Sequence, residues 1–157
     1  MKLNTTAEIA KHLREFYTGK NWTWVWFQNV IDDITWEEAT TQIENLNTIA
    51  SLVFHMNFYV KIQVRVLMGG ELDSADKDAF NTPPIKSDHD WKNLLEESYR
   101  DAGELSALIQ QMPEEDLGET FANDKYGSYY RNFHGNIEHL HYHLGQIVLL
   151  KKLIRKG

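Results

Sequence analysis

The chain has 157 residues, a formal charge of −7 and no cysteine; 42% of its residues are apolar and 25% charged. The absence of cysteine excludes disulfides, thiolate metal ligands and a cysteine nucleophile, so any metal must rest on imidazole, carboxylate or water. The acidic balance argues against a nucleic-acid partner, which needs a basic footprint, and the apolar content is too high for disorder.

The length predicts one domain over residues 1–157, large enough to bury a core. Met1–Arg14 lacks the continuous apolar stretch of a signal peptide, and no run approaches the roughly 18–20 apolar residues that span a bilayer. These features predict a cytoplasmic, soluble protein without a membrane partner.

Helical periodicity dominates. Thr6–Tyr17 carries Ile9, Leu13 and Phe16 at spacings of three and four and ends at Gly19. Trp24, Phe27, Ile31 and Ile34 repeat similarly and predict a short second helix. Thr35 and Glu38 have the spacing of a capping box opening Trp36–Ile43. Leu46–Met68 bears two apolar stripes, the second formed by Leu52, His55, Tyr59, Ile62 and Val66, and stops at Gly69-Gly70. Apolar on two sides, it predicts a central helix.

Glu71–Ser87, with Pro83-Pro84, is predicted to be a polar loop. Ser87 or Asp88 is placed to cap a helix over Trp91–Met112. Pro113–Tyr130 is irregular, with room for a short extended stretch, and the last helix is expected over Asn132–Arg155. The cations Lys151, Lys152, Arg155 and Lys156 complement the macrodipole at its end. Four long helices with long connections predict an all-α four-helix bundle with crossover connections.

Three histidines stand apart from this pattern. His139 and His143 are four apart within Asn136–Lys152, so they share one helix face with Cβ atoms about 5–6 Å apart. Eleven residues nearly complete three turns, which aligns His139 with Leu150 and His143 with Ile154 on an inward face. His55 lies mid-helix among apolar neighbours. Buried imidazoles need partners, and either a metal ion or a hydrogen-bond network satisfies that need. The bare pair is weak evidence, because about 0.3 such pairs arise by chance at this histidine content.

The other histidines provide a contrast. His141 projects to the side of His134, Glu138 and Lys152, a predicted solvated face, and His12 and His89 read as surface residues. Leu140 follows His139, so the glutamate base of the H-E-x-x-H metalloproteases is missing. Asn136, Gln146 and Ser51 are candidate supports for the imidazoles. No catalytic side chain is assigned.

The string L-V-F-H-M-N around His55, with N-I-E-H-L-H-Y-H-L-G-Q-I-V from Asn136 onward, resembles the DinB/YfiT-like family, as does the helix order over nearly the whole chain. The most specific piece is Y-H-L-G-Q-I, Tyr142–Ile147, joined to His139. The resemblance implies a four-helix bundle holding a divalent metal (nickel, zinc or iron) through three histidines, which here would be His55, His139 and His143. It further implies metal-dependent transferases and isomerases that use small thiol cofactors. For this chain the expectation is a metal-dependent transferase or hydrolase acting on an electrophilic small-molecule substrate, with an S-transferase using a small thiol cofactor as the leading case. The alternative is a non-catalytic metal- or ligand-binding bundle with a structural three-histidine site. Trp22, Trp24, Trp26 and Trp36 are dense enough either to cap the core or to form a homodimer interface.

Overall fold

The computed structural model describes residues 3–72 and 76–156; residues 73–75, within the expected loop, lie outside the described residues. The described residues form six α-helices: α1 (Thr5–Thr18), α2 (Phe27–Ile31), α3 (Trp36–Thr40), α4 (Ile49–Leu67), α5 (Asp88–Gln111) and α6 (Tyr129–Lys156). No strand occurs among the described residues. The expected extended stretch amounts to one antiparallel bridge between Thr120 and Ser128.

Side-chain caps set where the helices begin. Asn4 Oδ1 accepts from the Ala7 amide at 2.9 Å to open α1. Gly19 ends it at φ +121°, where a Cβ would meet the Trp26 ring at 3.1 Å. The capping box before α3 is present in both directions: Thr35 Oγ1 accepts from Glu38 N at 3.2 Å, and Glu38 Oε2 accepts from Thr35 N at 3.0 Å. Ser87 Oγ accepts from Asp90 N at 3.1 Å and starts α5 three residues before Trp91.

Two apolar residues depart from their predicted places. Trp24 does not begin the second helix; it has φ +55° and is exposed, as is Trp22. The buried Asn21 side chain accounts for this, donating to Val25 O at 2.7 Å and accepting from Thr23 Oγ1 at 3.0 Å. That polar turn holds the backbone out of the helical register. Leu46 lies outside α4 and is exposed, because Thr48 Oγ1 caps the Ser51 amide and opens the helix there.

The four long helices pack as a closed ring of neighbours: α1 on α5, α5 on α4, α4 on α6 and α6 on α1. Its interior holds Leu13 and Phe16 of α1, Val53 and Val60 of α4, Leu105 and Ile109 of α5, and Leu140 and Ile147 of α6. Polar ties fix the registers of α4. Asn57 donates to the buried Asp101 at 2.9 Å, linking α4 to α5. Gln63 donates to Asn132 O at 2.8 Å and accepts from Asn136 Nδ2 at 3.1 Å, linking α4 to α6. Buried amides bonded in one arrangement penalise sliding, since a slipped register leaves them unpaired.

The basic end of α6 divides its work. Lys151 bonds Val30 O and Asp33, and Arg155 forks onto Asp33 and Glu38, tying the helix end to the α2–α3 segment. These pairs hold the Asp33 carboxyl down at about 2. Lys152 and Lys156 remain exposed. No helix among the described residues is long and apolar enough to cross a membrane.

Candidate metal centre

The α4–α6 register brings His55, His139 and His143 together, with one ligand atom from each lying within 4.8 Å of the others. His55 and His143 are buried and His139 is partly so. The rings approach edgewise or tilted, with centroids 4.6–4.8 Å apart, so their nitrogens converge instead of their faces stacking.

Outer contacts orient two of the rings. A carbonyl can only accept, so at 3.2 Å from Ala79 O the His55 Nδ1 carries the proton and leaves Nε2 bare. His143 Nδ1 lies 2.7 Å from Gln146 Oε1, one turn along α6, which frees its Nε2 in the same way. His139 Nε2 faces His55 Nε2 at 2.9 Å. Two such nitrogens share a single proton, which His139 must supply. His139 Nδ1 is then buried with no hydrogen-bond partner among the described residues.

This donor set fits a divalent cation of borderline softness. Three imidazole nitrogens converge, two already hold the tautomer that ligation requires, and a proton shared between His55 and His139 is what a cation would displace. Burial, and then the neighbouring His143 and His55, push His139 down to about 4. Burial and then His143 also lower His55. Both rings are therefore neutral near pH 7, the state in which imidazole ligates.

The same depression gives a pH dependence. Between about 4 and 6.5 an unfolded His139 binds a proton that the metal-free folded ring refuses, so stability falls as pH drops through that window. The expected loss is about 1 kcal/mol once solvent screening at this partly exposed ring is allowed for, or about 2–4 °C in Tm. Melting curves of chelated protein from pH 7 to pH 4 should show this slope, and it should flatten in His139→Gln. An unchanged slope in that variant would assign the acid sensitivity to other groups.

Several contacts at the site come from residues with weaker sequence signals. Phe80 stacks on His55 with centroids 3.9 Å apart and planes 11° from parallel. Tyr59, one turn after His55, sets its ring edgewise to His55 and His139 and donates its hydroxyl to Asp76 Oδ1 at 3.2 Å. Tyr59 was visible through its four-residue spacing from His55, whereas Phe80 was a lone aromatic in a polar loop. Of the three candidate supports, only Gln146 reaches an imidazole. Asn136 is engaged with Gln63, and Ser51 bonds back to Thr48.

His141 is not on a solvated face. It is partly buried, packing edgewise on Phe16 at 4.9 Å, and burial followed by His12 lowers its pKa. The cause is α1, which covers that flank of α6. His12, His89 and Glu138 are exposed as expected. A cavity of about 660 Å³ lies between Phe54, the Pro83–Ile85 stretch and α5, and none of the three imidazoles lines it. Donor convergence, not cavity size, locates the candidate centre.

The model of the DinB superfamily matches residues 21–147, a span that contains all three histidines. The chain belongs to the DinB superfamily. No curated protein and no solved structure matches it significantly. Within this DinB-superfamily chain, the matched span begins inside the α1–α2 connection and ends at Ile147, so it includes α4, α5 and most of α6.

Proposed function

We propose that this chain is a single domain over residues 1–157, a four-helix bundle of α1, α4, α5 and α6 with long crossover connections. In this reading His55, His139 and His143 hold one divalent cation, with nickel, zinc and iron as the candidates. The protein acts as a metal-dependent enzyme on a small electrophilic molecule, with a small thiol as cofactor in an S-transfer reaction. The observation that carries the proposal is the convergence of three imidazole nitrogens within 4.8 Å, two of them pre-set by Ala79 O and Gln146.

A divalent ion held there would supply Lewis acidity, favouring the deprotonated form of a thiol or water near neutral pH. The chain's own residues orient and shield. Ala79 O and Gln146 lock two rings, while Phe80 and Tyr59 pack against the imidazoles and limit water access. Tyr59 stays a neutral phenol, since burial and then Asp76 raise its pKa. In the transfer the sulfur bonds the electrophilic carbon, the leaving group departs with the bonding pair, and the thiol proton passes to solvent. The lack of cysteine is compatible with this scheme because the attacking sulfur arrives with the cofactor.

One observation favours a second reading, a non-catalytic site that joins α4 to α6: the Phe80 ring lies flat over His55, and His55 and His143 are buried. The two readings separate when metal-loaded protein is offered small thiols with an activated aryl chloride. Turnover about 100-fold above chelated protein, abolished in His55→Ala, is expected for the enzyme. Stoichiometric metal with four protein ligands by X-ray absorption, and no turnover with thiol or water, would establish the structural site instead.

A further inference from the structure

A short segment between α4 and α5 crosses the candidate centre, and two residues one turn apart on α4 hold it. It begins with a single turn of 3-10 helix, Asp76–Asp78. Ala79 N donates to Asp76 O and Asn81 N to Asp78 O, both at 3.1 Å. Asn81 Nδ2 donates to Asp78 Oδ1 at 3.0 Å, and Thr82 N to Phe80 O at 2.8 Å. Braced by its own hydrogen bonds, the segment 76–82 moves as one piece.

This piece meets α4 at two points. At the first, the half-buried Tyr59 donates its hydroxyl to Asp76 Oδ1 at 3.2 Å. At the second, Ala79 O accepts from His55 Nδ1 at 3.2 Å, and the Phe80 ring lies flat on the same imidazole. Ala79 is itself buried, which seats the segment against the bundle. Held only at Ala79 and Phe80, the piece could pivot about that end. A pivoting carbonyl loses its alignment with Nδ1–H, and a hydrogen bond weakens steeply as it bends. The Tyr59–Asp76 bond removes that freedom.

We propose that Tyr59 and Asp76 are positioning residues for the metal centre. Their hydrogen bond fixes the 76–82 turn so that the Ala79 carbonyl holds His55 with its Nε2 free for the cation. This role rests on the metal-binding reading above and adds to it two residues that are not themselves ligands. Because the turn and the cation act on one ring, the coupling is reciprocal. The turn should be steadier in loaded protein by the factor by which it favours loading.

Affinities of the full chain for nickel and for zinc, measured by competition with a chelator, test the assignment. Tyr59→Phe keeps the ring against His55 and His139 and should weaken binding about 5-fold, less than the roughly 10–100-fold that follows loss of a direct partner. Asp76→Ala should match it, and the double variant should be no weaker than either single one, because each removes the same bond. Asp76→Asn keeps the acceptor oxygen but not the charge and should bind like wild type. Melting temperatures of the chelated variants should stay within about 3 °C of wild type. Loading should slow amide exchange at Ala79 and Asn81 in wild type, and slow it less in Tyr59→Phe. Unchanged affinity in Tyr59→Phe or additive losses in the double variant would overturn the assignment. Equal losses in Asp76→Asn and Asp76→Ala would also overturn it, by showing that the carboxylate acts through its charge. A wild type that binds neither ion would count against the metal-binding reading instead. Nitrogen NMR of chelated protein then still decides the positioning role: His55 Nδ1 should be protonated in wild type and lose that preference in Tyr59→Phe, and identical signals would overturn it.

Discussion

His143→Ala should lower bound metal from about one ion per chain to below roughly a tenth, measured by elemental analysis of untagged protein at neutral pH. Removing one imidazole leaves His55 and His139 facing each other at 2.9 Å, an arrangement satisfied by a single shared proton. Two imidazoles in that state hold a cation far more weakly than three converging ones. His143 is on the second half of α6 and its neighbours Leu144 and Ile147 carry the packing, so the variant should fold. Gln146→Ala should have a smaller effect, about 10–100-fold in affinity, because it removes only the contact that orients His143. Wild type without metal after incubation with nickel, zinc and iron would put a buried hydrogen-bonded histidine cluster in place of the metal centre.

The largest stability effect is expected from Trp91→Ala. Trp91 is 2% exposed within the core, and its Nε1–H donates to Ile34 O at 2.9 Å, joining α5 to the α2–α3 connection. Emptying a site of this size costs about 3–5 kcal/mol, and the stranded Ile34 carbonyl adds about 1 kcal/mol. For a chain of this length the sum corresponds to a fall in Tm of roughly 10–20 °C. Trp91→Phe should recover most of the loss, since it restores much of the volume and forfeits only the hydrogen bond. Equal effects from the two substitutions would mean that the hydrogen bond, not the filled volume, dominates.

Much of the fold was legible because it follows from local chemistry. Ile9, Leu13 and Phe16 share a helix face whatever surrounds them, and all three are buried. Thr35 and Glu38 satisfy each other's amides within a single turn, so their spacing was sufficient to place the start of α3, although the helix ends at Thr40 and not at the expected Ile43. Ser87 was also identifiable as a cap, although the helix it opens begins earlier than the apolar periodicity suggested. Trp24 misled because its spacing is helical while the Asn21 turn, a contest of side-chain and backbone hydrogen bonds, decides the conformation.

For the candidate centre, the four-residue spacing of His139 and His143 required that they share a face of one helix, and the residues around His55 marked it as inward. The sequence by itself therefore determined the helical class, the family and the three imidazoles in question, because these depend on period and local identity. Only the tertiary structure decided that His55 meets the α6 pair, that the Ala79 carbonyl and Phe80 close over it, and that His141 is covered by α1. Those outcomes depend on how one helix is registered against another and where a loop lands. The ties that set the α4–α6 register, Gln63 with Asn132 and Asn136, join residues about seventy positions apart. No local period encodes that pairing, so it emerges only when the core packs.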